Sequence, residues 1–177
     1  MIYNKTMDKE VFNHILDSDE QIVDVFKPSR FVFVLTQMVP YTFFVAVLAL
    51  IACLGSGLSG MFLLIPIGVA LLVEIILIII LSISYGRILY AVTNKRLIIR
   101  SGVIGVDYRT LDLKMIGYSD VQVSFLDKLA KNGTGSLRFG SMSSPVNSRE
   151  RGFVFAHIPN AYENYKKVKE LIEASKN

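Results

Sequence analysis

The sequence predicts an α+β membrane protein, in which a transmembrane helical hairpin leads into a small antiparallel β domain closed by a C-terminal helix. Three observations predict it. Hydrophobic residues make up 52% of the 177, more than a soluble domain of this length usually carries. Between residues 31 and 86 the only ionisable side chain, apart from tyrosines and Cys53, is Glu74. Beyond residue 86 the unbroken apolar pattern gives way to short alternating runs punctuated by Gly, Asn, Asp and Ser, the signature of antiparallel strands.

The N-terminal segment, residues 1–30, has four Lys/Arg against six Asp/Glu and no apolar stretch of the kind a cleaved signal needs. Its Val11, Phe12, Ile15 and Leu16 form a short amphipathic turn around His14, suited to lying on a membrane. Two apolar blocks follow at 31–54 and 62–85, each about 36 Å long as helix against a hydrocarbon core of about 30 Å. The intervening "GSGLSG" has room only for a turn, so the hairpin over 31–86 is antiparallel. Pro40 and Pro66 are expected to kink the two spans. Lys27 and Arg30 precede the first span and Arg87, Lys95 and Arg96 follow the second, whereas the linker is uncharged. The positive-inside rule then places both termini in the cytoplasm.

The cytoplasmic domain, residues 87–177, has fifteen Lys/Arg against eight Asp/Glu, so the basic excess lies beside an anionic leaflet. "YAVTNKRLIIRSGVIG" at 90–105 reads as a hairpin turning on Asn94 and Lys95, with Asn94 placed to accept positive φ. Val92 then opposes Leu97, Tyr90 opposes Ile99, and these four share one face. Arg87, Arg96 and Arg100 share the other. "DVQVSF" puts Val121, Val123 and Phe125 on one side of a further strand, "SLRF" pairs Leu137 with Phe139, and "VDYRTLDL" and "GFVFAHI" supply two more. A closing helix starts at Asn160, a cap with Glu163 three residues on, and Ala161, Tyr165, Val168 and Ile172 form its apolar stripe.

From residue 85 the motifs "YAVTNKRLIIRSGVIG", "RTLDLKMI", "FLDKLAKNGTGSLRFGS" and "FVFAHIPNAYENYKKVKELI" resemble the pleckstrin-homology-like domain of bacterial YdbS-type membrane proteins, with "DEQIVDVFKPS" resembling their lead-in. The resemblance covers about residues 18–175. It is carried by T-x-x-R-L-x-x-R-x-G, filled here by Thr93, Arg96, Leu97, Arg100 and Gly102. It implies a strongly bent sheet or barrel of about seven strands with a C-terminal helix at one end, the 90–105 hairpin being the first strand pair. The polar "SSPVNSRERG" departs from a minimal strand connection.

Lys27, Arg30, Arg87, Arg96 and Arg100 are the candidate contacts to lipid headgroups. The competing reading pairs the arginines with acids of the N-terminal segment such as Asp19, Glu20 or Asp24. Glu74 falls near the middle of the second span, where an acid costs about 2.5–3.5 kcal/mol. It needs a bond to Thr36, Gln37, Tyr41 or Thr42, or to a second copy of the chain. The sharper alternative, a proton or ion path, requires an oligomer. One cysteine and two distant histidines give no disulfide or zinc pattern. No spacing suggests a catalytic constellation, a cofactor or a nucleic-acid surface, and "GSGLSG" lacks the Lys-Ser/Thr ending of a phosphate loop. These residues point away from an enzyme. They favour a membrane-anchored binding or scaffolding module in the bacterial cytoplasmic membrane that engages a protein partner or itself. Alternatives are an anionic-lipid sensor, an envelope-protective factor, or a small oligomeric transporter built on Glu74.

Overall fold

A computed structural model of the chain describes residues 5–56, 60–130, 132–142 and 152–176. In chain order these form α1 (Lys5–Glu10), β1 (Ile22–Phe26), α2 (Arg30–Ser56), α3 (Gly60–Arg87), β2 (Leu89–Thr93), β3 (Arg96–Ser101), β4 (Asp107–Asp112), β5 (Ile116–Gln122), α4 (Phe125–Leu129), β6 (Gly135–Ser141), β7 (Phe153–Ile158) and α5 (Ala161–Lys176). The strands make two antiparallel sheets, β1-β2-β3-β4 and β5-β6-β7. The polar "SSPVNSRERG" connection and the tip of the apolar hairpin fall largely outside the described residues.

Alternation explains the register. Val92 pairs with Leu97 and Tyr90 with Ile99, as the hairpin pattern requires. These four residues meet Leu137, Phe139, Phe153 and Phe155 of the second sheet and Ala161, Val168 and Ile172 of α5 in one core. Phe155 is its hub, fully buried, stacked on Tyr90 at 4.8 Å and edge-on to Phe139 at 5.3 Å.

The sheet begins earlier than the hairpin. Strand β1, from the acidic lead-in, pairs with β2, so the hairpin is the second strand pair and not the first. Val25 beside Leu89, Ala91 and Ile98 gives that sheet a second apolar face, which must be covered. Phe12, fully buried, covers it with help from Val11, Ile15 and Leu16. The amphipathic turn around His14 therefore lies on protein instead of on a membrane surface.

Three local expectations are also corrected. The β2–β3 turn does not depend on positive φ, since among the described non-glycine residues only His157 and Asn160 adopt it. The Thr93 hydroxyl shapes the turn by accepting from the N–H groups of Lys95 and Arg96 at 3.1 and 2.9 Å, an alternative to Asn-based turns. Strand β5 stops at Gln122, because Ser124 and Asp127 form a reciprocal capping box that starts α4. Phe125 is thereby turned out, 75% exposed. Asn160 sits at φ 49° and holds the α5 start through its main chain, its carbonyl accepting from Asn164 while the Ala161 N–H goes to the Gly133 carbonyl.

Helices α2 and α3 are long and apolar enough to cross a membrane, and the most apolar stretches of both are unburied by the rest of the chain. Helix α2 continues through Pro40. Among the described residues of the two helices, Val32 and Ser84, at the sheet-proximal ends, are buried.

The β3–β4 connection turns on Gly102, at φ 141°, where a Cβ would lie 2.2 Å from the Gly105 carbonyl oxygen. Gly102→Ala is expected to cost about 1–3 kcal/mol, read as a fall in the urea midpoint of the detergent-solubilised protein. A wild-type midpoint would show that the turn relaxes freely.

Candidate functional site

The basic residues singled out from sequence divide into two places, because Arg96 and Arg100 sit at opposite ends of β3, about 13 Å apart along an extended strand. At the helix end, Arg100 donates to the carbonyl of Arg87 at 3.3 Å. That oxygen ends α3, where helical carbonyls lack internal partners. The Arg100 Nε is buried without a partner among the described residues. Arg87 in turn donates to the carbonyls of Val103 and, at 3.4 Å, Gly105. Two arginines thus stitch the last turn of α3 to β3 and to the loop after it.

On the α2 side, Tyr85 donates to the Pro28 carbonyl at 3.0 Å and lies beside Phe33 with ring centroids 5.8 Å apart. Lys27 places its ammonium 5.4 Å from the centre of the Tyr85 ring, within cation–π range. Arg30, the first residue of α2, is exposed. The preceding Ser29 N–H donates to the His157 carbonyl at 2.7 Å, so α2 is also fixed to β7.

The far end of β3 is an ion-pair lock. Arg96 donates to both carboxylate oxygens of Glu20, at 3.0 and 2.7 Å, and to the Ile15 carbonyl at 2.9 Å. Thr93 donates to Glu20 at 2.6 Å. Burial alone would raise the Glu20 carboxyl, but these donors and the Asp17 N–H outweigh it and hold its pKa below the ordinary value. Lys95 bonds Asp19 at 2.5 Å, and Gln21 donates to the Asn94 side chain at 2.9 Å. The competing sequence reading is thus realised for Arg96, whose Nε and Nη2 donate to the N-terminal segment, away from the helix ends.

A second buried acid was not singled out from sequence. Asp127, 2% exposed, contacts His157 Nδ1 at 2.8 Å and accepts from the Ser124 hydroxyl at 2.7 Å. Burial would raise its carboxyl, yet the His157 and Ser124 hydrogen bonds lower it on balance. The residue types are those of a hydrolytic triad, but the serine bonds the aspartate instead of the imidazole, so no nucleophile is activated here. The pair holds α4 to β7, and His157 at φ 53° turns its carbonyl to Ser29. Among the described residues no group of three His, Cys, Asp or Glu side chains could hold a metal ion.

Glu74 is half-buried on α3. Among the described residues no hydrogen bond reaches it, so the suggested bonds to Thr36, Gln37, Tyr41 or Thr42 are not formed within one chain. A cleft of about 380 Å³ lies between the first sheet and α5, lined by Val23, Phe26, Val92, Val168 and Leu171 with Asp24, Lys167 and Glu170 at its rim. It runs beside β1, an edge strand. No sequence spacing marks it, because it needs the lead-in and the C-terminal helix brought together.

The two sheets, the closing helix and the clamped helix pair can now be set beside known proteins. Similar solved structures include a DUF1696 family protein with a pleckstrin-homology domain from Shewanella loihica, at TM-score 0.49 and 11% identity over 97% of this chain and 99% of that one. Another is a pleckstrin-homology domain from Shewanella amazonensis, at TM-score 0.48 and 12% identity over 96% and 89%. No curated protein matches the chain. The family model described as "Bacterial PH domain" matches residues 31–173, a span that takes in both apolar helices as well as β2 to α5, and the chain therefore belongs to the bacterial PH domain family.

Proposed function

We propose that the chain is a membrane-anchored, non-enzymatic binding module of the bacterial cytoplasmic membrane, with both termini in the cytoplasm. Its PH-like domain holds a protein partner or a second copy of the chain next to the bilayer. The observation that carries this reading is the contrast within one molecule. The sheets bury Leu97, Leu137, Phe155 and Ile158 completely, whereas Phe43, Leu50, Leu72 and Ile79 of α2 and α3 stand half exposed or more. An apolar surface of that extent on a water-soluble monomer is far beyond the usual patch, and lipid is the solvent that matches it.

Lys27, Arg30 and Arg87 gather at the helix ends and supply the headgroup contacts, each worth about 1 kcal/mol beside an anionic leaflet. Arg96 is excluded by its lock to Glu20, and Arg100 serves mainly to cap α3. Glu74, with no hydrogen bond among the described residues, favours association of copies through α3, since an acid in the apolar layer is stabilised by a partner. The cleft beside β1 offers apolar lining next to an edge strand, a setting suited to a protein segment.

Alkaline carbonate extraction of bacterial membranes tests the anchor, and labelling of Lys176→Cys in a Cys53→Ser background tests the topology. The chain is expected to stay in the membrane pellet, and an impermeant maleimide to react only after the inner membrane is opened. Release into the supernatant, or labelling from outside, would overturn the reading. The native mass of the detergent-extracted protein should exceed one chain, and a lone monomer would remove the partner half of the proposal.

A further inference from the structure

We propose that the β3–β4 loop is a second membrane contact, a preformed apolar tip that enters the headgroup layer beside the end of α3 and fixes the tilt of the domain. This rests on the anchoring reading above and adds to it a site on the domain itself, with the bilayer interface as its occupant.

The loop carries Val103, Ile104 and Val106, which are 49%, 97% and 42% exposed. An isoleucine with almost its whole side chain in water at the tip of a turn is a poor choice for a solvent-facing loop, where polar residues ordinarily sit. The loop is also not free to fold the tip away. Gly102, at φ 141° with the Gly105 carbonyl packed against it, closes its base. Arg87 grips it from the helix side through the carbonyls of Val103 and Gly105. Those two carbonyls flank Ile104, so the tip is tied to the last residue of α3.

That tie sets the depth. The last aliphatic residue before the polar end of α3 is Ile83, and Ser84, Tyr85, Gly86 and Arg87 follow. Four residues of helix rise about 6 Å, comparable to the headgroup and interfacial layer on one side of a bilayer, about 5–7 Å from the difference between total and hydrocarbon thickness. Arg87 therefore stands in that layer when α3 spans, and the loop bonded to it stands at the same level. An arginine beside an apolar tip suits this zone, where the guanidinium meets phosphates and the side chains of Val103 and Ile104 meet the upper acyl chains. Asp107, exposed at the start of β4, limits how far the loop can sink. The opposite end of β4, at Asp112, lies about 17 Å further along the strand and serves as a reference point outside lipid.

The test uses the full chain in lipid nanodiscs, in the Cys53→Ser background, with an environment-sensitive fluorophore on one introduced cysteine at a time: Ile75→Cys in α3, Ile104→Cys in the loop and Asp112→Cys on β4. Lipids brominated near the headgroup end of the acyl chain report contact with the interface, and lipids brominated deeper report the span. The expected result is loss of emission at Ile75→Cys with deep bromines, loss at Ile104→Cys with shallow bromines, and no loss at Asp112→Cys with either. Quenching at Ile75→Cys with none at Ile104→Cys would overturn the loop contact and leave the anchor standing. A blue-shifted Ile104→Cys signal that bromine does not quench would mean that protein covers the tip, which also overturns it. No quenching at Ile75→Cys would sink the anchoring reading itself and this inference with it.

Discussion

Phe155→Ala is expected to lower the unfolding free energy by about 3–5 kcal/mol, the largest single effect of a core truncation in this chain. The ring is fully buried where both sheets meet, and it touches Phe26, Tyr90, Phe139 and Phe153 with centroid separations of 6.3, 4.8, 5.3 and 5.9 Å. Truncation removes the transfer energy of a large apolar group. It also leaves a hole that strands from two different sheets cannot jointly close. Urea unfolding of the solubilised protein, followed by tyrosine emission since the chain has no tryptophan, measures it. Phe125→Ala, at a ring 75% exposed, is expected within about 0.5 kcal/mol of wild type. Equal effects at the two positions would show that Phe155 is not the junction of the core.

Glu20→Ala is expected to cost about 3 kcal/mol, at the low end for breaking a buried pair because the Arg96 side chain keeps 21% of its exposure. The loss has two parts. Arg96 and Thr93 lose their acceptor, and the segment carrying Phe12 loses its tether, which uncovers Leu89, Ala91 and Ile98. Combining Glu20→Ala with Arg96→Met should recover part of the loss, since it removes the stranded guanidinium. If the double variant is no more stable than the single, the cost lies in the tether alone.

The same lock gives an acid dependence. Glu20 has a folded pKa lowered relative to the unfolded chain, so the unfolded state binds protons first as pH falls. Its stabilisation is full above the unfolded value and is lost as pH falls through the folded one. Asp127, also lowered, acts in the same sense. Stability should therefore decline below the ordinary carboxylate range, and Glu20→Gln should flatten that decline when urea midpoints are compared between neutral and acid pH.

Much of the architecture was legible because it rests on periodicity. The Asn94–Lys95 hairpin, the 2-residue alternation that faces Tyr90, Val92, Leu97 and Ile99 inward, and the α5 stripe from Ala161 to Ile172 are local patterns whose buried faces a sequence displays. Strand β1 was not legible as a strand, because its partner β2 lies beyond both apolar helices and its five residues show no clean alternation. The site was half legible. Basic residues near the span ends were visible, but whether each faces lipid or an acid depends on contacts such as Arg96 to Glu20, separated by 76 positions. Phe125 misled because a capping box overrode its alternation with Val121 and Val123, and Asp127 escaped notice for the same reason.

The two long helices are inserted between strands that are immediate neighbours, β1 and β2. The sheet is consequently a clasp that shuts only after both helices have been synthesised. Any fragment beginning at residue 87 would lack an edge strand, the Phe12 cover and the partner of Arg96. Such a truncation exposes the face of Leu89, Ala91 and Ile98. A change in the spacing of α2 and α3 at their sheet-proximal ends bears directly on the β1–β2 seam, because the chain enters α2 from β1 and leaves α3 into β2.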